Sequence, residues 1–155
     1  MADRELTLYH APNTRSTGTL ILLEELGVPY RLEIVNLKTG AQHEPAYLAV
    51  NPMGKVPALK HGDALVTEQV AVYLYLADLF PKAKLAPAID DPLRGPYLLG
   101  MRFLAVDVLW GTALGWITHF GLIPAVPVIQ SYVERVNARP AFVKARARDA
   151  ELAAA

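Results

Sequence analysis

The chain has 155 residues, 53% of them hydrophobic and 19% charged, with fifteen Lys and Arg against fifteen Asp and Glu and no cysteine. A composition this apolar excludes disorder, and a zero net charge counts against a general nucleic-acid binder, which needs a basic surplus to neutralise phosphate. The absence of cysteine excludes disulfides, Cys-ligated zinc, iron–sulfur sites, dithiol redox chemistry and cysteine nucleophiles.

The length predicts one domain, or two small ones sharing a core. The start, Met-Ala-Asp-Arg-Glu, lacks the basic region and long apolar run of a signal peptide. With the missing cysteines this predicts a cytoplasmic location. Leu6 to Tyr9 alternates as a short strand does and ends at the turn Ala11-Pro12-Asn13. Leu20, Ile21, Leu23 and Leu26 recur at helical spacing, with Glu24 and Glu25 expected to face out and Gly27 with Pro29 to close the helix. Its start falls near Thr14 to Ser16, whose hydroxyls can cap free N–H groups. Tyr30 to Val35 reads as a second strand, and Gln42 to Val50 as a weak helix or loop. Pro57–Lys60 and Ala64–Thr67 read as a hairpin around His61-Gly62-Asp63. Glu68 to Phe80 carries Val70, Val72, Tyr73, Leu76 and Leu79 at helical spacing.

Residues 6 to 80 therefore read βαβ then ββα, a mixed four-stranded sheet with helices on its faces. Pro81, Pro87, Pro92 and Pro96 mark a linker. After it the chain reads all-helical: Leu104 to Phe120, Val126 to Asn137, and a last helix from Ala141 to Ala153. Leu104 to Phe120 is apolar on nearly every face, so it should be enclosed by protein. No charge lies between Val108 and Val133, but Pro124 and Pro127 break the stretch, and it is read as a core helix rather than a membrane span. Arg139, Lys144, Arg146 and Arg148 are expected to form a solvated basic face. The histidines His10, His43, His61 and His119 lack metal-ligand spacing, so no metal site is expected and each is read as a surface or core residue.

Four motifs stand in order over the first half: Leu8-Tyr-His-Ala-Pro-Asn-Thr-Arg-Ser16, Leu22-Leu-Glu-Glu-Leu-Gly-Val-Pro-Tyr30, Asn51-Pro-Met-Gly-Lys-Val-Pro-Ala-Leu59 and Thr67-Glu-Gln-Val-Ala-Val-Tyr-Leu-Tyr-Leu-Ala-Asp78. Together they resemble the thioredoxin-like N-terminal domain of the cytosolic glutathione S-transferases, of a bacterial type. Phe103 to Trp116 resembles the buried central helix of the family's all-helical C-terminal domain, and Asn137-Ala-Arg-Pro-Ala141 the start of its last helix. Asp107 looks like the capping aspartate of that central helix, but Leu104 stands where a hydroxyl would complete the capping box. The family places two long helices before the central one. Here only Pro92 to about Arg102 fills that place, so the helical domain is expected to be shortened. The implied organisation is 1–80 glutathione-binding domain, 81–91 linker and 92–155 truncated helical domain.

The implied reaction needs a thiolate at neutral pH. A free thiol has a pKa of about 8.5, and lowering it two units takes about 2.7 kcal/mol. A hydroxyl donor supplies about 1.5–3 kcal/mol and a helix N-terminus about 0.3–2. Ser16 offers both if it opens the first helix, and Arg15 adds positive potential. Asn13 or Thr14 can donate instead, and Tyr9 resembles the position used by tyrosine-type members. The resemblance also implies a cis Val56–Pro57 bond, with the Val56 backbone pairing with the cysteine peptide of glutathione. Thr67, Glu68 and Gln69 would receive the γ-glutamyl end at a helix N-terminus, with Glu68 on the ammonium. Lys55 would take the glycine carboxylate. The activity expected is conjugation of glutathione to a small apolar electrophile, with glutathione as co-substrate, no metal or redox cofactor, no nucleic acid or membrane partner, and a homodimeric state. The alternative is a non-catalytic binding or interaction module on the same fold.

Overall fold

The computed structural model describes residues 5–98, 104–124 and 126–154, of which 104–106 only by their main chain. Four strands form one sheet in the order β2-β1-β3-β4: β1 (Leu6–His10), β2 (Arg31–Ile34), β3 (Ala58–His61) and β4 (Ala64–Thr67). β1 runs parallel to β2, with Leu8 opposite Leu32, and antiparallel to β3, with Leu8 opposite Leu59. β3 and β4 form the expected hairpin, with Leu59 opposite Val66. A parallel pair needs a crossover, and helix α1 (Ser16–Leu26) supplies it. Gly27 closes α1 in the left-handed region at φ +62, where its N–H reaches the Leu23 and Glu24 carbonyls. The loop after β2 contains the short helix α2 (Pro45–Leu48), and α3 (Gln69–Leu79) follows β4. This is a thioredoxin-like layer, and the remainder is mostly helical.

The core lies between one sheet face and the helices. Leu6, Leu8 and His10 alternate into it from β1, while Thr7 and Tyr9 point to the other face. Leu20, Ile21 and Leu23 of α1 and Val72 and Leu76 of α3 close over them. The same cluster continues into the helical half through Val108, Val136, Phe142 and Ala145. The segment between α3 and these helices holds α4 (Arg94–Leu98), whose Arg94 makes a two-pronged ion pair with Asp78. The stretch read as shortened, Pro92 to about Arg102, lies partly outside the described residues, which stop at 98 and resume at 104. Then come α5 (Leu104–His119), α6 (Pro127–Asn137) and α7 (Pro140–Ala154). Asp107, in the first turn of α5, accepts a hydrogen bond from Tyr132 Oη at 2.8 Å and so ties α5 to α6. No helix among the described residues is long and apolar enough to cross a membrane.

Three sequence expectations are corrected by packing. Glu24 and Glu25 do not face water: α7 lies over them, with Lys144 Nζ 2.5 Å from Glu24 and Arg139 forked onto Glu25 at 2.6 and 3.1 Å. For the same reason the basic face of α7 is not merely solvated; its cations seat the helix on α1, and Arg148 stacks over the Tyr30 ring. Two hydrogen-bonded carboxylate partners determined this, and neither lies on α7's own stretch of sequence. Among the described residues, helix α5 is covered along one side. Val108 is fully buried, but Trp116 is 55% and Phe120 57% exposed, because α1, α3 and α6 pack along one flank.

Candidate functional site

The strand register gathers the site. Tyr9 lies opposite Ala58, and Ala58 opposite Thr67. The residues that follow Tyr9, precede Ala58 and follow Thr67 therefore emerge at one end of the sheet. Asn13 to Ser16, Lys55 to Pro57, and Glu68 with Gln69 are brought together by three local segments.

The Val56–Pro57 bond is cis, as the family resemblance implies. The residue before it is held by its carbonyl: Lys55 C=O accepts Tyr47 Oη at 2.6 Å and Asn51 Nδ2 at 2.7 Å. The Lys55 side chain is exposed. Glu68 is the N-cap of α3 and makes no side-chain capping bond. It is exposed and sits at φ +67, a region that a non-glycine residue occupies only when its surroundings hold it there. The result is a helix N-terminus with free N–H groups and an uncommitted carboxylate beside it. Gln69 reaches back from the same corner, donating from Nε2 to the Arg15 carbonyl at 3.1 Å and to Tyr73 Oη at 2.9 Å. It thereby docks α3 onto the β1–α1 loop. Gly18 permits that approach: a Cβ there would fall 2.1 Å from Tyr73 Oη.

The β1–α1 loop separates the expected thiol-activating residues. Tyr9 points to the far sheet face, against Tyr47 with ring centroids 5.9 Å apart. Ser16 does open α1, but it is fully buried, and its Oγ has four neighbours within hydrogen-bond distance: Thr14 Oγ1 at 2.7 Å, His10 Nδ1 at 2.8 Å, and the Ala11 N–H and C=O, each at 3.1 Å. It is not the helix cap either; Arg15 takes that place without a side-chain cap, and Thr14 Oγ1 accepts the Ser16 N–H at 3.2 Å. Asn13, at φ +56, and Thr14 face a cleft of about 580 Å³. Its opposite walls are Thr112 and Trp116 of α5, Phe120 just after it and Arg146 of α7. Trp116 and Phe120 pack with ring centroids 4.7 Å apart.

Asp149 of α7 was not foreseen. It is buried and accepts from His10 Nε2 at 2.8 Å, the Asn13 N–H at 2.9 Å and Thr17 Oγ1 at 2.5 Å. Burial pushes its carboxyl up, but these hydrogen bonds outweigh burial and hold it below its ordinary value. The available signal was His10 itself. The alternation of β1 turns it inward, and a buried polar ring needs a partner. No group of three or more His, Asp or Glu among the described residues is arranged to hold a metal ion.

Comparison with known proteins places this arrangement. Residues 4–78 match the family model "Glutathione S-transferase, N-terminal domain". Glutathione S-transferase 2 of Schizosaccharomyces pombe is 32% identical over 138 residues, which cover 84% of this chain and 60% of that protein. Glutathione S-transferase GstA of Escherichia coli O157:H7 is 33% identical over 105 residues, 66% of this chain and 52% of that one. The chain thus spans less than two thirds of these curated relatives. The crystal structure of a glutathione transferase homolog from Sulfitobacter, with bound glutathione, superposes with a TM-score of 0.79 at 27% identity, over 93% of this chain and 98% of that one. A glutathione transferase from Methylococcus capsulatus superposes with a TM-score of 0.83 at 26% identity, over 94% and 99%. Residues 4–78 thus form a glutathione S-transferase N-terminal domain, and over nearly its whole length the chain has the fold of the glutathione transferases.

Proposed function

We propose that the chain binds glutathione at the sheet end and conjugates its thiolate to a small apolar electrophile held in the adjoining cleft. The observation that carries this reading is Glu68. An exposed, uncommitted carboxylate held at positive φ beside an open helix N-terminus suits a ligand end that bears both an ammonium and a carboxylate. The γ-glutamyl group of glutathione is such an end. Glu68 pairs with its ammonium, while Thr67 and the Gln69 N–H take its carboxylate. The Val56 backbone pairs with the cysteine peptide, and Lys55 takes the glycine carboxylate, with Arg15 adding positive potential. Support comes from the Sulfitobacter homolog, whose structure holds glutathione.

Thr14 and Asn13 are the groups that meet the sulfur, because both face the cleft. Ser16 acts from behind Thr14. Trp116 and Phe120 suit an apolar electrophile. The reaction needs no metal or redox cofactor, and a glutathione-dependent activity suits the reducing cytoplasm. The chain works as a homodimer. The exposed apolar flank of α5 also favours a second reading, a glutathione-binding interaction module without turnover.

Calorimetric titration with glutathione tests the site. Wild type should bind, and Glu68→Ala should weaken binding at least about tenfold, the loss of one charge-assisted hydrogen bond of about 1.5–3 kcal/mol. No binding by folded wild type would overturn both readings. Binding without conjugation across a set of aromatic and alkyl halides would leave the interaction module.

A further inference from the structure

We propose that Thr14, Ser16, His10 and Asp149 form a proton relay that carries the thiol proton of bound glutathione from the cleft to the buried His10 ring. The inference rests on the glutathione reading above and adds the destination of the proton. Four groups stand in a line: Thr14 Oγ1 to Ser16 Oγ at 2.7 Å, Ser16 Oγ to His10 Nδ1 at 2.8 Å, and His10 Nε2 to Asp149 Oδ1 at 2.8 Å. Thr14 and Asp149, the two ends of the line, are on the cleft wall, and the His10 and Ser16 between them are fully buried.

With a neutral His10 ring, counting donors and acceptors sets the direction of each bond. An ionised carboxylate only accepts, so the His10 proton sits on Nε2. In the neutral ring Nδ1 is then an acceptor, and Ser16 must donate to it. The two lone pairs of Ser16 accept the Ala11 N–H and the Thr14 O–H. Thr14 Oγ1 accepts the Ser16 N–H at 3.2 Å, which leaves it one open lone pair. A thiol arriving from the cleft can therefore donate to Thr14, and Thr14 has no proton to offer it. The Ala11 carbonyl also accepts from Thr14 Oγ1 at 2.7 Å and from Ser16 Oγ at 3.1 Å, so each hydroxyl shares its proton between the relay and this carbonyl.

Moving one proton reverses the chain. The S–H proton passes to Thr14 Oγ1, the Thr14 proton to Ser16 Oγ, and the Ser16 proton to His10 Nδ1. The sulfur keeps the electron pair of the broken S–H bond. His10 becomes an imidazolium against the Asp149 carboxylate. Ser16 now accepts from Nδ1–H and the Ala11 N–H and donates to Thr14; Thr14 accepts from Ser16 Oγ–H and N–H and donates to the thiolate. Every donor has an acceptor in both states. After the sulfur bonds to the electrophile, the proton returns by the same steps to water in the cleft. Asp149 stays ionised because its three hydrogen bonds favour the carboxylate. The other charged or titratable groups on the cleft are Arg146 of α7 and His119 of α5, and neither bonds to His10. Among the strand neighbours Ile34 carries no charge, Lys60 lies opposite Thr7 on the other face, and His61, opposite Leu6 on the face of His10, is bonded to Tyr75 Oη at 2.7 Å instead.

Ring ¹⁵N shifts of His10, assigned by their loss in His10→Gln, test the relay on the full chain. Adding glutathione should move them from neutral to imidazolium positions, and adding S-methylglutathione, which has no thiol proton, should leave them neutral. In parallel, thiolate absorbance of bound glutathione is followed against pH. Thr14→Val should raise the apparent pKa of the bound thiol by at least about one unit, a tenfold loss of thiolate at fixed pH, and Thr14→Ser should restore it. His10→Gln should raise it likewise with little change in glutathione affinity. A His10 ring that stays neutral while bound thiol ionises would overturn the relay, as would a Thr14→Val protein with an unchanged thiol pKa. Either result leaves glutathione binding itself intact, whereas absence of binding would fault the site reading first.

Discussion

Individual residues are tuned to close approach and to held strain. Gly18 stands where α1 meets the start of α3, and a methyl group there would press on Tyr73 Oη at 2.1 Å and Gln69 Nε2 at 2.6 Å. Gly18→Ala should therefore destabilise the fold by about 1–3 kcal/mol in urea unfolding, the cost of overpacking. Tyr73→Phe in the same chain should recover part of the loss, since it removes the nearer of the two atoms in the way. Tyr73 is buried with a phenol that burial drives well above its ordinary range, so no ionised oxygen complicates that comparison. An unchanged denaturation midpoint in Gly18→Ala would mean that α3 moves aside freely. Such proximity is invisible in sequence, where Gly18 and Tyr73 are merely a helix glycine and a helix aromatic.

At the scale of elements, α7 is the part that organises the β1–α1 loop. It lies across α1 with its charges paired to Glu24 and Glu25, and it delivers Asp149 to three donors of the loop. Removing that carboxylate strands buried donors, so Asp149→Ala should cost about 3–5 kcal/mol. The pH dependence has a definite sign. Asp149 titrates lower in the folded chain than its ordinary 3.8. The unfolded chain therefore takes up the proton first, and the stabilisation is full above that value and fades as pH falls below it. Denaturant unfolding should show stability dropping below about pH 4 in wild type, with a shallower drop in Asp149→Asn. Equal slopes would show that other carboxylates govern acid unfolding.

For the whole molecule the decisive feature is the uneven cover of α5. Trp110, Trp116 and Phe120, in the stretch that sequence alone reads as enclosed, and Leu122 in the turn after it are all about half exposed or more. Apolar surface gathered this way drives association by about 25 cal/mol per Å² buried. Sedimentation velocity at micromolar concentration should show a dimer or larger species, and Trp110→Glu should shift it toward monomer. A wild-type monomer would count against the homodimer.

Local chemistry and periodicity made much of the fold legible. The alternation of Leu6 to Tyr9, the helical spacing in α1 and α3, the hairpin glycine and the prolines each act within a few residues, so they could be read in order along the chain. The four motifs and the cis Val56–Pro57 bond were legible through family resemblance, and they marked which three segments to watch. Tertiary structure decided what those segments present. Strand register aligned them at one sheet end; the fold of the β1–α1 loop buried Ser16 against His10, Ala11 and Thr14 and left Thr14 and Asn13 at the cleft; and the last helix returned a carboxylate to a histidine 139 positions away. Pairings of that span are set by the geometry of the whole chain, and no sequence window contains both partners.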